Sequence, residues 1–544
     1  MEKSIIALVL VLIVALVCCA SAETADPTLV ETSNGLIQGF TDEARSLYIW
    51  QNVSYGTAPL GELRWKAPIP AQPWEGVYDA TVPSNVATQY SKWAGQQGSE
   101  DCLNLEIYRP ANDHTDLPVI VHLHGGNNQT GSASQVDVPQ FANAADCVIV
   151  SLNHRLNLLG FNSLPALKTG NSLEDSGNYT MLDIALALDW VKENIGAFGG
   201  DGNNITVTGS SAGGRNVMAM LISPIFKGKF QKAISYSGGM TTSDSEDGMK
   251  VIASRLAPLA VEDGKAATEK EAYEWLLTDG EDVREYLYAM DDARMIMTFG
   301  DASIRMAHFP HHYTDGIVIP KEGFATDSYN AVPIIMFTGT NEFSMFATSN
   351  YFPTLDKESE DYKAQIAFVN KYGGMLYELF NAEESAQNMK HAYDAPIYLL
   401  SYNGAGHTAQ RHLLGPSKEG GGFGGVSTDQ DIEMSSIYLG YLYNFLRTGN
   451  PNGGDLPVWD QWSDDVSKPN TIFFDGLSGE HGQVSMANRR ISYDDVLAQM
   501  DADTTITPEQ KQAIISQSMN GRWFSAKLDA HYNNASLWDV APTE

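Results

Sequence analysis

Six short runs in this chain are apolar on consecutive positions: PVIVHLH from Pro118, CVIVSLNH from Cys147, ITVTG from Ile205, KAISYS from Lys232, VPIIMFTGT from Val332 and PIYLLSY from Pro396. A strand with one wet face alternates polar and apolar residues. A strand apolar throughout must be covered on both faces, as in a largely parallel sheet with helices on either side. Helical segments lie between these runs. In YTMLDIALALDWVKENIGAFGG, Leu182, Leu186 and Trp190 recur at fourfold spacing beside Val191 and Ile195. Asp183 comes early, Lys192 comes late, and glycines end the helix near Gly199. The alternation predicts a doubly wound α/β fold with a large, mostly parallel central sheet. Ligands bind such sheets at the carboxyl ends of the strands, and chemistry is expected there.

The rest of the chain sets bounds. Residues 1–22, with Lys3, an apolar run and an Ala-Ser-Ala end, read as a secretory leader cut before Glu23, and residues 23–544 read as one domain. The expected product is exported, with no stable membrane insertion. The net charge of −33 argues against nucleic acid as a partner, because nothing would neutralise phosphates. After leader removal only Cys102 and Cys147 remain, too few for a disulfide scaffold or a zinc site, so a large core must carry stability. Their pairing is left open. Sequons at Asn52, Asn178, Asn204 and Asn534 would take glycans where exposed; that at Asn128 is expected to be enclosed. The Gly-rich stretch at 415–425 reads as a loop, and the C-terminal segment shows no clear heptad from which to read an oligomeric state.

Four strand ends carry groups of four kinds. ITVTGSSAGG runs a strand into a glycine-flanked turn and then into helix formers, which would raise the Ser211 hydroxyl above the sheet edge. A serine alone is a poor nucleophile and needs a base within reach. PIYLLSYNGAGHTAQRHLLG offers His407 after a Gly-Ala-Gly turn; His412, five residues on, is expected in a helical segment and is not assigned. VPIIMFTGTNEF offers Glu342, whose carboxylate could hold the imidazole in one tautomer. VHLHGG, ending in His124-Gly125-Gly126, offers glycine backbone N–H groups which, with that of Ala212, could hold an oxyanion. Each feature has an ordinary reading as a turn or surface charge. Their order, Ser211 then Glu342 then His407, is that of the α/β-hydrolases.

With these residues in view, the chain resembles the type-B carboxylesterases, the cholinesterase-like α/β-hydrolases. GELRWKAPIPAQPW, SEDCLNLEIYRP, NHRLNLLGF, the segment from Gly177 to Gly213, KFQKAISYSGG and YLYNFLRTGNPNGG all sit where family stretches are expected. The resemblance implies hydrolysis of a small-molecule carboxylic ester through an acyl-enzyme, without metal or cofactor. It gives Ser211, Glu342 and His407 the triad positions, Gly126, Asn127 and Ala212 the oxyanion hole, and Ser237 a supporting place beside the acid. Departures are visible. Asn127 stands for the third oxyanion glycine, Ser210 for the glutamate most often found before the nucleophile, Trp93 is offset from the choline-stacking position, and Cys102 lacks its upstream partner. A strict cholinesterase is not expected. The segment Phe299 to Pro320 is expected to line part of the gorge, with Phe309, His311 and His312 shaping specificity. Some members keep the fold as adhesion or structural proteins after losing a triad residue; this chain keeps all three.

Overall fold

The structure, a computed structural model, describes residues 26–544 apart from 93, 136–138, 140, 301–308, 348–351, 353–354, 419–425, 478–480, 520–530, 532–540 and 543–544. The expected leader, Trp93, the Asn534 sequon and much of the 415–425 loop lie outside the described residues. An eleven-stranded sheet organises the rest. In chain order its strands are β1 (Phe40–Asp42), β2 (Leu47–Ser54), β3 (Asn104–Pro110), β4 (Leu117–Leu123), β5 (Val148–Leu152), β6 (Gly200–Ser210), β7 (Lys232–Tyr236), β8 (Ile334–Gly339), β9 (Ile397–Tyr402), β10 (Thr471–Asp475) and β11 (Gln483–Ala487). Across the sheet they run β11-β10-β9-β8-β7-β6-β4-β5-β3-β2-β1. Every pair from β5 to β10 is parallel, and the pairs outside that block are antiparallel.

The six apolar runs became β4 to β9, and their burial shows why they do not alternate. Val119, Val121 and Leu123 of β4 join a core on one face of the sheet, while Ile120 joins the core on the other. In β8, Ile334 and Met336 face one way and Ile335 and Phe337 the other. Helix α1 (Tyr179–Asn194) and helix α2 (Ala212–Ile222) cover the first face, and helix α3 (Asp429–Thr448) covers the second through Met434, Tyr438, Leu442 and Phe445. Helix α1 runs into a short 3-10 turn that ends at Gly199, whose φ of +79° is the left-handed exit a glycine supplies. No described helix is long and apolar enough to cross a membrane.

Cys102 and Cys147 are buried and free, which settles their pairing, and burial raises both thiols above their usual range. Asn128 and Asn178 are buried inside the fold, so neither sequon is presented by the folded chain. Asn178 instead donates to Tyr313 O at 2.9 Å and accepts from Tyr313 N at 2.9 Å.

One buried ion pair ties the sheet to α1. Arg155, just past β5, donates from Nε and Nη2 to the two oxygens of Asp183 at 2.9 and 2.6 Å, and its backbone N–H adds a bond of 3.0 Å. Both side chains are almost wholly excluded from water. Removing one partner of such a pair leaves an uncompensated charge, whereas removing both leaves an apolar contact. Asp183→Ala is therefore expected to cost about 3–5 kcal/mol in denaturant unfolding. Arg155→Met/Asp183→Leu should recover much of that loss, and a loss under about 1 kcal/mol for the single variant would contradict the account.

Candidate active site

β6 ends at Ser210, and the chain turns directly into α2 at Ser211. Ser211 has φ +57° and ψ −118°, a conformation costly for a side chain with a β-carbon and held here by its surroundings. Its N–H donates to Tyr236 O at the end of β7, at 2.9 Å. The flanking glycines are required by space. A β-carbon on Gly209 would stand 2.2 Å from the Gly213 carbonyl carbon, and one on Gly213 would stand 2.1 Å from Leu123 O. The helix thus packs directly on the ends of β4 and β6, leaving the serine raised and half-buried.

Glu342 opens a short 3-10 turn just beyond β8 and is fully buried. Its Oε2 accepts from His407 Nδ1 at 2.5 Å. Its Oε1 accepts from Ser237 Oγ at 2.5 Å and from Gly339 N at 2.9 Å. Ser237, at the end of β7 with φ +53°, therefore supports this carboxylate. His407 lies on the turn after β9, almost buried, with the rings of Phe346 and Tyr377 at 5.0 and 5.7 Å. Its Nε2 makes no hydrogen bond to Ser211 or to any other described residue. Three residues on, Gln410 Nε2 donates to Ser210 Oγ at 2.9 Å and so ties the histidine's segment to the elbow. His412 sits in the helix Gln410–Leu414, as expected, and its Nδ1 lies 3.0 Å from Ser427 Oγ.

The turn after β4 lies against the elbow: a β-carbon on Gly125 would meet Ser210 O at 3.0 Å and Ser211 Cβ at 3.4 Å. Gly126 has φ +98° and room for no β-carbon, since Thr130 O would lie 2.3 Å away. Asn127 adopts φ +56°, a region asparagine tolerates better than most residues. The N–H groups of Gly126, Asn127 and Ala212 donate no hydrogen bond among the described residues. Such free donors, beside a helix N-terminus, suit a developing negative charge.

Behind the turn lies a polar layer that the sequence did not announce. His124 stacks on His154 at 4.7 Å and is pushed down to about 3, first by burial and then by that neighbour. Burial likewise lowers His154 and His311, and it takes His312 to about 3 with help from the Arg215 charge. Phe309, His311 and His312, expected to shape specificity, are fully buried around Phe161. Arg215 and Asn216, buried in α2, were also missed. The signal was present, because both are polar on a helix otherwise made of small and apolar residues.

These four imidazoles have a pH consequence. Unfolded histidine binds its proton near pH 6.5, and all four folded values are lowered from there, those of His124 and His312 to about 3, so the unfolded state binds more protons as pH falls. Their contribution to stability is complete above about pH 6.5 and shrinks on the way toward pH 3. The denaturation midpoint should therefore already drop between about pH 6.5 and 5, above the range of ordinary carboxylates. A midpoint flat across that window would refute this.

With this geometry in place, comparison with known proteins gives a consistent result. Residues 26–399 match the carboxylesterase family. A para-nitrobenzyl esterase of Bacillus subtilis is 31% identical over 342 residues, covering 61% of this chain and 66% of that protein. Liver carboxylesterase 1F of Rattus norvegicus is 27% identical over 520 residues, covering 82% and 90%. Among solved structures, the Geobacillus stearothermophilus carboxylesterase EST55 superposes with a TM-score of 0.65 at 26% identity, over 84% of this chain and 97% of that one. A PNB esterase gives 0.64 at 23% identity over 90% and 99%, a likeness of fold. The chain belongs to the carboxylesterase family of carboxylic ester hydrolases and carries their α/β-hydrolase fold.

Proposed function

We propose that the protein is an exported serine esterase whose triad is Ser211, His407 and Glu342. Ser211 Oγ attacks the ester carbonyl while His407 Nε2 takes its proton. The tetrahedral oxyanion is held by the N–H groups of Gly126, Asn127 and Ala212. His407 then returns the proton to the departing alcohol, leaving an acyl-enzyme. Water, deprotonated by the same nitrogen, releases the acid. Glu342 keeps the Nδ1–H tautomer and stabilises the imidazolium formed in each half-reaction. The observation that carries the reading is the 2.5 Å Glu342–His407 bond, made by a carboxylate with further donors on its other oxygen, beside a serine held at positive φ. Export rests on residues 1–22 alone, with Asn52 and Asn204 as the remaining sequons among the described residues.

Turnover of a short-chain p-nitrophenyl ester tests the assignment. Ser211→Ala should reduce hydrolysis to the uncatalysed background, and activity undiminished in that variant would refute the nucleophile. Glu342→Gln should leave KM near its starting value and lower kcat by about 10⁴, the scale of the equivalent change in another serine hydrolase triad. A loss of less than about tenfold would remove Glu342 from the triad. For export, the protein recovered from the medium of secreting cells should begin at Glu23; an intact Met1 would contradict the leader.

A further inference from the structure

The turn after β4 abandons glycine while its backbone stays left-handed. Gly126 at φ +98° is followed by Asn127 at +56° and Asn128 at +55°. Two successive residues with β-carbons persist in that region only where neighbours over-determine them. The neighbours here are on α2. Arg215 Nη1 donates to Asn127 Oδ1 at 3.2 Å, while Asn127 Nδ2 donates to Gln129 Oε1 at 2.8 Å. One residue further along both segments, Asn128 and Asn216 exchange side-chain amide bonds in both directions, at 3.1 and 3.0 Å. Asn216 Oδ1 also meets His312 Nε2 at 2.7 Å. Each pair is separated by 88 residues, so two adjacent turn residues meet two adjacent helix residues in register. All four are buried.

We propose that Arg215 and Asn216 are positioning residues for ester hydrolysis, clamping Asn127 and Asn128 so that the turn's amide protons stay aimed at the oxyanion. This rests on the esterase reading above. The clamp connects two halves of one charge-binding site. Arg215 follows Ser211 by one helical turn, with its N–H on Ser211 O at 3.0 Å, and Ala212 is the first residue of the same helix. Holding the β4 turn to that helix fixes the Gly126 and Asn127 donors relative to the Ala212 donor and the nucleophile. On the far side, Asn157 N donates to Asn128 O at 2.7 Å, so the turn is gripped from two directions. Buried bonds of this kind are strong because no water replaces them, and a turn that drifts by about 1 Å forfeits roughly a hundredfold in rate.

The clamp and a merely structural role diverge in kinetics. Arg215→Met should lower kcat roughly tenfold to a hundredfold with little change in KM, since the lost interaction acts on the transition state. Glycine takes the left-handed conformation without help, so Asn127→Gly should retain at least about fivefold more kcat than Asn127→Ala. Arg215→Met should then cost several-fold less in an Asn127→Gly background than in the wild type. Thermal unfolding of each variant accompanies the assays. Equal costs in both backgrounds, or a rise in KM in place of a fall in kcat, would overturn the clamp. If Arg215→Met does not fold, the Asn127→Gly to Asn127→Ala ratio decides, and a ratio near one overturns it. A wild-type protein that hydrolyses no ester above Ser211→Ala would instead refute the esterase reading itself.

Discussion

Where α2 leaves the sheet, two backbones approach more closely than any side chain would allow. The Gly213 α-carbon lies so near β4 that an added methyl would stand 2.1 Å from Leu123 O, and Gly209 would collide with Gly213 in the same way. That contact forces Ser211 through a left-handed turn and brings the first N–H of α2 beside the hydroxyl. It also brings the end of β4 against the elbow, so the turn carrying Gly126 and Asn127 begins next to the proposed nucleophile. A register in which β4 lies next to β6 is a precondition, and the strand order meets it. Site geometry therefore follows from backbone packing before any catalytic side chain is placed.

The side chains then complete a buried, low-dielectric surround. Glu342 is buried yet accepts three close hydrogen bonds, from His407, Ser237 and Gly339, which offsets the cost of removing a carboxylate from water. Aromatic rings stand beside the imidazole. Ser210, bonded to Gln410, stands before the proposed nucleophile and adds no negative charge near a developing oxyanion. Burial keeps the histidines behind the turn uncharged through ordinary pH.

Much of this was legible in the sequence because the informative features are backbone features. Strands covered on both faces announce themselves as unbroken apolar runs, and all six became neighbouring strands of the parallel block. Glycines at positions 209 and 213 marked a tight turn between strand and helix, and chain order supported the three triad candidates. The remainder was hidden for physical reasons. Strands β1 and β11 are short and half-buried, and β2, β3 and β10 carry polar residues that blur their period. Asn178 looked like a glycan acceptor because a sequon says nothing of burial. His311 and His312 could be placed in a candidate specificity segment, but sequence alone does not show that both are buried, each with one ring nitrogen hydrogen-bonded. Arg215 and Asn216 could be noticed as polar residues on an apolar helix, but their partners 88 residues away could not.

Three separate loops and one helix end are held to meet around a single reacting carbon. The most direct measurement is a crystal structure of the protein after reaction with an organophosphonate, whose tetrahedral phosphorus imitates the first intermediate. The account predicts phosphorus bonded to Ser211 Oγ, with one phosphonyl oxygen about 2.7–3.1 Å from the N–H groups of Gly126, Asn127 and Ala212. His407 Nε2 should lie within hydrogen-bond reach of an adduct oxygen. A bond to any other residue, or an adduct oxygen facing away from the β4 turn, would contradict it.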